Sequence, residues 1–141
     1  MIMAQEQALL KAREQLAELE KLVEDAADDS RRIDSVERDL FAGLLQLGLS
    51  LLQAFVAREG NGDVGPTIPQ DDKTLRRQEL DSRRYLSIFG ELTIERYVYA
   101  QRAKQKEHAP LDARLGLPAG EFSYVLEDWL QKLCVREAFE D

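Results

Sequence analysis

Cysteine and histidine are almost missing from this chain of 141 residues, which holds one of each, Cys134 and His108. A single cysteine excludes an internal disulfide, and with one histidine beside it no Cys/His zinc site can form within one chain. Catalytic signatures are missing too. The sequence has no HExxH, no GxSxG and no phosphate-cradling loop followed by Lys-Ser or Lys-Thr. The glycine-rich run Gly60–Gly65 lacks the strand-to-helix setting of a dinucleotide fingerprint and reads as a linker. Asp28/Asp29 and Asp71/Asp72 read as caps or solvated loop charge, so neither a catalytic site, a metal nor a cofactor is expected. Long uninterrupted apolar runs are also missing. The stretch Leu40–Ala57 is broken by Gln46, Ser50 and Gln53, which predicts a buried amphipathic helix instead of a membrane span. No basic n-region or cleavage-like site opens the chain, so a cytoplasmic protein is expected.

Strong helix formers are plentiful. From Ala4 to Ala27 there is neither proline nor glycine, and Ala, Leu, Glu, Gln and Lys dominate. Leu9, Leu16 and Val23 recur every seven residues, interleaved with Ala12, Leu19 and Ala26. That is a coiled-coil seam of about three heptads, or the packing face of a helix that meets its own chain. Asp29 or Ser30 is placed to cap a second helix, with Ser35 as a later alternative. Ile33, Val36, Leu40, Leu44, Leu47, Leu51 and Phe55 keep a 3–4 spacing, widened by Phe41, Leu45, Leu49 and Leu52. Such a wide stripe needs more than one neighbour. A helical hairpin supplies one, and self-association through Leu9, Leu16, Val23, Leu40, Leu44, Leu47 and Leu51 supplies another.

Residues 59–72, rich in Gly and Pro, separate this helical arm (1–58) from a third segment, 73–141. There the alternation of aliphatic, aromatic and β-branched residues predicts an antiparallel hairpin, with Gly90-Glu91 at its turn and Phe89 opposite Leu92. Tyr85, Ser87, Ile94, Arg96 and Val98 then share one face. A short helical turn over Pro110–Leu115, ended by Gly116 and Pro118, precedes a closing helix that starts between Glu121 and Ser123. Its buried stripe is expected to comprise Val125, Leu126, Trp129, Leu130, Leu133 and Phe139, with Cys134 as a small buried hydrophobe. The expected fold is α+β and mostly α: two long N-terminal helices, one β-hairpin and a C-terminal helix.

Charge is unevenly spread. The net charge of −8 divides into −8 over residues 1–72, +5 over 73–106 and −5 over 107–141. An acidic protein thus carries one basic island. Arg83, Arg84, Arg96, Arg102, Lys104 and Lys106 gather at the open end of the hairpin and form a candidate phosphate-contacting patch. Alternatively they guard a strand edge, paired with Glu79, Asp81 and Glu95. A DNA-binding site needs the island exposed, whereas an interaction module can neutralise it. The closing helix is acidic, which argues against a helix-turn-helix.

Phe89-Gly90-Glu91, Arg96 with Tyr99, Pro110-Leu111-Asp112 and Leu115-Gly116-Leu117-Pro118 follow one another in this order. That pattern resembles the N-terminal region of bacterial DDE-type insertion-sequence transposases, most closely the ISKra group; it covers the chain from about Arg83 onward. The resemblance implies a non-catalytic front part of a transposase, a first reading frame or a decayed copy, with the metal-binding carboxylates of the catalytic domain beyond Asp141. Implied partners are DNA, including the element's terminal repeats, a second copy in a homodimer, and the intact catalytic transposase; no membrane is implied. A chain that only dimerises or inhibits, without binding DNA, is the alternative.

Overall fold

A computed structural model describes residues 2–103 and 105–140, with side chains for residues 3–103 and 105–134. The chain is α+β and forms two compact units, Met1–Arg58 and Glu59–Asp141.

The first unit is a helical hairpin of α1 (Ile2–Asp28) and α2 (Ile33–Glu59). Ser30 stops α1 by taking a left-handed φ of 53°, with Arg31 N–H donating to Ala26 O and Ser30 N–H to Ala27 O. This is the paired-carbonyl closure that usually recruits glycine. Ser30 therefore closes α1; it does not open α2. Ala12 and Ala26 are buried on α1, and Ser50 and Ala54 on α2. The helices approach closely there, since a Cβ on Gly43 would run into the Leu19 side chain. Ser50 Oγ donates to Gln15 Oε1 at 2.7 Å and ties the helices at mid-length.

The expected burial of α2 is not met. Phe41, Leu44, Leu51 and Phe55 are exposed, because one neighbouring helix covers only one side of so wide a stripe. By length and composition α2 is also apolar enough to cross a membrane.

The second unit is built on a three-stranded antiparallel sheet, in the order β1 (Thr67–Gln70), β2 (Lys73–Ser87), β3 (Gly90–Ala100). β1 lies inside the segment read as a linker. Pro69 tolerates strand geometry because β1 is an edge, and Asp71, with a φ of 56°, turns the chain into β2. The hairpin turn sits two residues before the expected place: Ser87 pairs with Gly90, and Tyr85, not Phe89, faces Leu92. Ser87 explains the shift, since its Oγ accepts from Phe89 N–H at 3.1 Å and donates to Gly90 O at 2.8 Å. The slip preserves side-chain parity, so Tyr85, Ser87, Ile94, Arg96 and Val98 still share a face.

Leu75, Leu92, Ile94, Val98, Tyr99 and Leu111 form the core of this unit. α3 (Pro110–Leu115) covers it and ends on Gly116 at a φ of 68°. Ser123, almost fully buried, caps α4 (Tyr124–Glu140) by accepting from Leu126 N–H at 2.9 Å. Backbone bonds between Leu86 and Glu121 and between Ser123 and Leu86 fix that cap beside β2. The stripe expected to be buried on α4 is not. Val125, Trp129, Leu130 and Leu133 are exposed, as is Cys134, because the helix touches the sheet only near its start. Phe139 lies outside the residues with described side chains.

Candidate functional site

Arg96 projects from the centre of β3 onto the covered face of the sheet, where its side chain is 9% exposed. A buried guanidinium demands partners on every nitrogen, and this one has them. Nε and Nη2 fork onto the Asp112 carboxylate at 2.9 and 3.1 Å, and Nη1 reaches Asp81 Oδ2 at 2.5 Å. Asp112 lies in the first turn of α3, so the fork pins that helix to the sheet. Burial by itself would lower the Arg96 pKa, but the bonds to Asp112 and Asp81 outweigh it and the net shift is upward. Arg96 is thus fixed as a cation.

Arg83 enters the same network from β2. It bonds Asp112 Oδ2 at 3.3 Å, Pro118 O at 3.0 Å and Gly120 O at 2.7 Å, clamping the loop between α3 and α4. Lys106 Nζ closes the far side on Asp81 Oδ1 at 2.9 Å. The hydrogen bond from Lys106 is the leading cause of a lowered Asp81 pKa; partial burial opposes it and Arg96 adds to it. Arg84 lies on the opposite, exposed face and holds Glu91 at 2.6 Å, with Glu121 at 3.4 Å. That bond lowers Glu91 and raises Arg84.

Four of the six cations proposed for phosphate contact, Arg83, Arg84, Arg96 and Lys106, are therefore paired with carboxylates of their own unit. Of the partners in the strand-edge alternative, Asp81 takes part, while Glu79 and Glu95 make no ion pair among the described residues. That alternative missed Asp112, Glu91 and Glu121, which come from the turn and from the segments following the hairpin. Arg102 is exposed and without an ion pair among the described residues, and Lys104 lies outside them. Lys73 and Arg76 are further exposed cations on β2, and Arg76 pairs in register with Ala100, two residues before Arg102.

Of the residues that carried the family resemblance, Arg96 and Asp112 meet in this network, and the others lie elsewhere in the sheet unit. Arg96 binds Asp112, Glu91 binds Arg84, and Gly116 ends α3. Tyr99, with no exposed surface, donates its hydroxyl to Gly65 O at 2.6 Å and accepts from Val64 N–H at 3.1 Å. That bond anchors the loop after α2, which approaches so closely that a Cβ on Gly62 would stand 3.0 Å from Leu111. Arg77, 5.3 Å over the Tyr97 ring and bonded to Asp63 at 2.7 Å, covers the same end of the sheet.

Among the proposed oligomerisation residues, Leu16, Val23, Leu44 and Leu51 are exposed, and Leu9, Leu40 and Leu47 are half-buried. No three His, Cys, Asp or Glu side chains gather to hold a metal ion among the described residues. Comparison with family models, with curated proteins and with solved structures gave no match.

Proposed function

We propose that this chain is a non-catalytic assembly module, the front part of a DDE-type transposase similar to the ISKra group, acting through protein contacts more than through DNA. The observation that carries this reading is the internal neutralisation of Arg83, Arg84, Arg96 and Lys106 beside a helical unit with exposed leucines and phenylalanines. A phosphate approaching Arg96 would have to displace the fork onto Asp112, and one approaching Arg83 its bonds to Asp112 and to the Pro118 and Gly120 carbonyls. The open cations, Arg76, Arg102 and Lys73, give weak binding that falls steeply with salt and does not read sequence.

The test is a titration of fluorescent element-end DNA and scrambled DNA of equal length, at low and moderate salt, with light scattering on the same samples. The expected outcome is a mass above monomer, with weak binding that does not distinguish the two DNAs. A clear preference for the end sequence would overturn the reading and restore end recognition.

A further inference from the structure

The helical hairpin has two chemically opposite sides. In an antiparallel helix pair, moving one residue forward from the contact row turns the side chain on either helix toward the same side of the pair, and moving one residue back turns it to the other. The contact rows run through Ala12, Gln15, Leu19, Leu22 and Ala26 on α1 and through Leu40, Gly43, Leu47, Ser50 and Ala54 on α2. One residue back are Lys11, Glu14, Glu18 and Asp25 on α1, and Ala42, Gln46, Leu49 and Gln53 on α2, a mostly polar set. Lys11, Gln46 and Gln53 line a common groove with Gln15, Leu49 and Ser50. One residue forward, α2 carries Phe41, Leu44, Leu51 and Phe55, exposed by 63, 54, 48 and 51%. On α1 the forward row interleaves Leu16 and Val23, about half exposed, with Arg13 and Glu20.

The apolar positions of both forward rows are nearly symmetric about their midpoints. On α2 Phe41 and Phe55 stand seven residues either side of Gly48, with Leu44 four before it and Leu51 three after; on α1 Leu9 and Val23 stand seven either side of Leu16. The two midpoints lie at one level, because the Gln15–Ser50 hydrogen bond joins the helices beside them. A row that reads alike in both directions matches a reversed copy of itself, which is what an isologous two-fold contact requires.

Resting on the assembly reading above, we propose that two copies dock these apolar sides face to face about a two-fold axis crossing Leu16 and Gly48, forming an antiparallel four-helix bundle. α2 lies along the other α2 and α1 along the other α1. Phe41 of one copy then meets Phe55 of the other, and Leu9 meets Val23. The exposed side chains of the two rows amount to on the order of 650 Å² per copy, so the contact removes about 1,300 Å², within the range of stable interfaces. A lipid surface is the competing occupant of such a face. It is disfavoured because the hairpin bears acidic Glu14, Glu18, Glu20 and Glu24 and the unit is net negative, which anionic headgroups repel.

Cysteine cross-linking of the full chain, carrying Cys134→Ser, tests the arrangement. Gly48→Cys and Leu16→Cys should each link to their own copy, since both stand on the axis. Leu44→Cys mixed with Leu51→Cys should link to each other, while Leu44→Cys alone, about 12 Å from its own copy, should not. Self-linking by Leu44→Cys would indicate a parallel pair and overturn the proposal. A dimer by sedimentation that links at neither Gly48→Cys nor Leu16→Cys would overturn this geometry while leaving the assembly reading standing. A chain that is monomeric at every concentration would overturn both. A monomer in buffer that co-sediments with neutral phosphatidylcholine vesicles would make the face a lipid contact instead.

Discussion

The two units solve the burial problem in opposite ways. The sheet unit closes on itself. Its core is apolar, and Arg96 is held by Asp112 and Asp81 while Tyr99 ties down the preceding loop. The helical hairpin satisfies its backbone locally but leaves about half of the surface of Phe41, Leu44, Leu51 and Phe55 in water. A pair of helices has too little mutual surface to bury a wide apolar stripe, whereas a sheet with helices and loops folded over it has enough. The stability of the first should therefore depend on protein concentration and that of the second on its charges.

The sharpest way to break this contrast is Arg96→Ala. It removes the fork onto Asp112 and the bond to Asp81, leaving Asp112 only the longer Arg83 contact and Asp81 only Lys106, so the sheet unit should lose about 3 kcal/mol in denaturant unfolding. Unchanged stability would remove the network from its central place. The expected loss also means that alanine at Arg83 or Arg96 cannot test DNA contact cleanly, since both side chains hold the fold together.

On the helical side, Leu44→Asp with Leu51→Asp should weaken self-association by at least about 100-fold, roughly 2–3 kcal/mol, in a sedimentation series. The sheet unit should unfold as before. Loss of both units together would mean that they are not independent.

Acid sharpens the comparison from the other direction. Asp81, Asp63 and Glu91 all titrate below their ordinary values in the fold: Asp81 through Lys106, Asp63 through the Gly65 N–H and then Arg77, Glu91 through Arg84. A carboxylate depressed by folding stabilises fully above its unfolded value, near 4, and that stabilisation is lost as pH falls through the folded value. Thermal unfolding of the sheet unit should hold steady from neutral pH down to about 5 and decline below about 4.

A smaller effect is expected at Tyr99→Phe. It leaves Gly65 O and Val64 N–H without their partner and should cost about 1–2 kcal/mol, read by denaturant unfolding. Arg84→Gln should be the mildest. Its partners Glu91 and Glu121 are about half exposed, so a melting temperature that moves clearly would show the pair to be stronger than surface pairs usually are.

Periodicity alone determined the helices, the parity of the β-hairpin faces and the short turn ended by Gly116, because each depends on neighbours in sequence. The approximate extent of α1 and the start of α4 after Ser123 belong to the same class, whereas the start of α2 does not, since Ser30 closes α1 instead of capping α2. The sequence also marked Arg96, Asp112 and Tyr99 as members of one pattern. It could not say that Arg96 and Asp112 are each other's partners, because the contact spans β3 and α3 and exists only after the chain folds back.

Tertiary structure decided the rest. It turned Thr67–Gln70 into an edge strand by offering β2 as a partner, and moved the hairpin turn to Ile88-Phe89 through Ser87. It left the α4 stripe in water because α4 packs only sparsely against β2. It also converted a basic island, open to water when read as a list of charges, into a set of internal ion pairs. Charge is a property of residues, but whether a charge is free is a property of what the fold places within hydrogen-bonding distance of it.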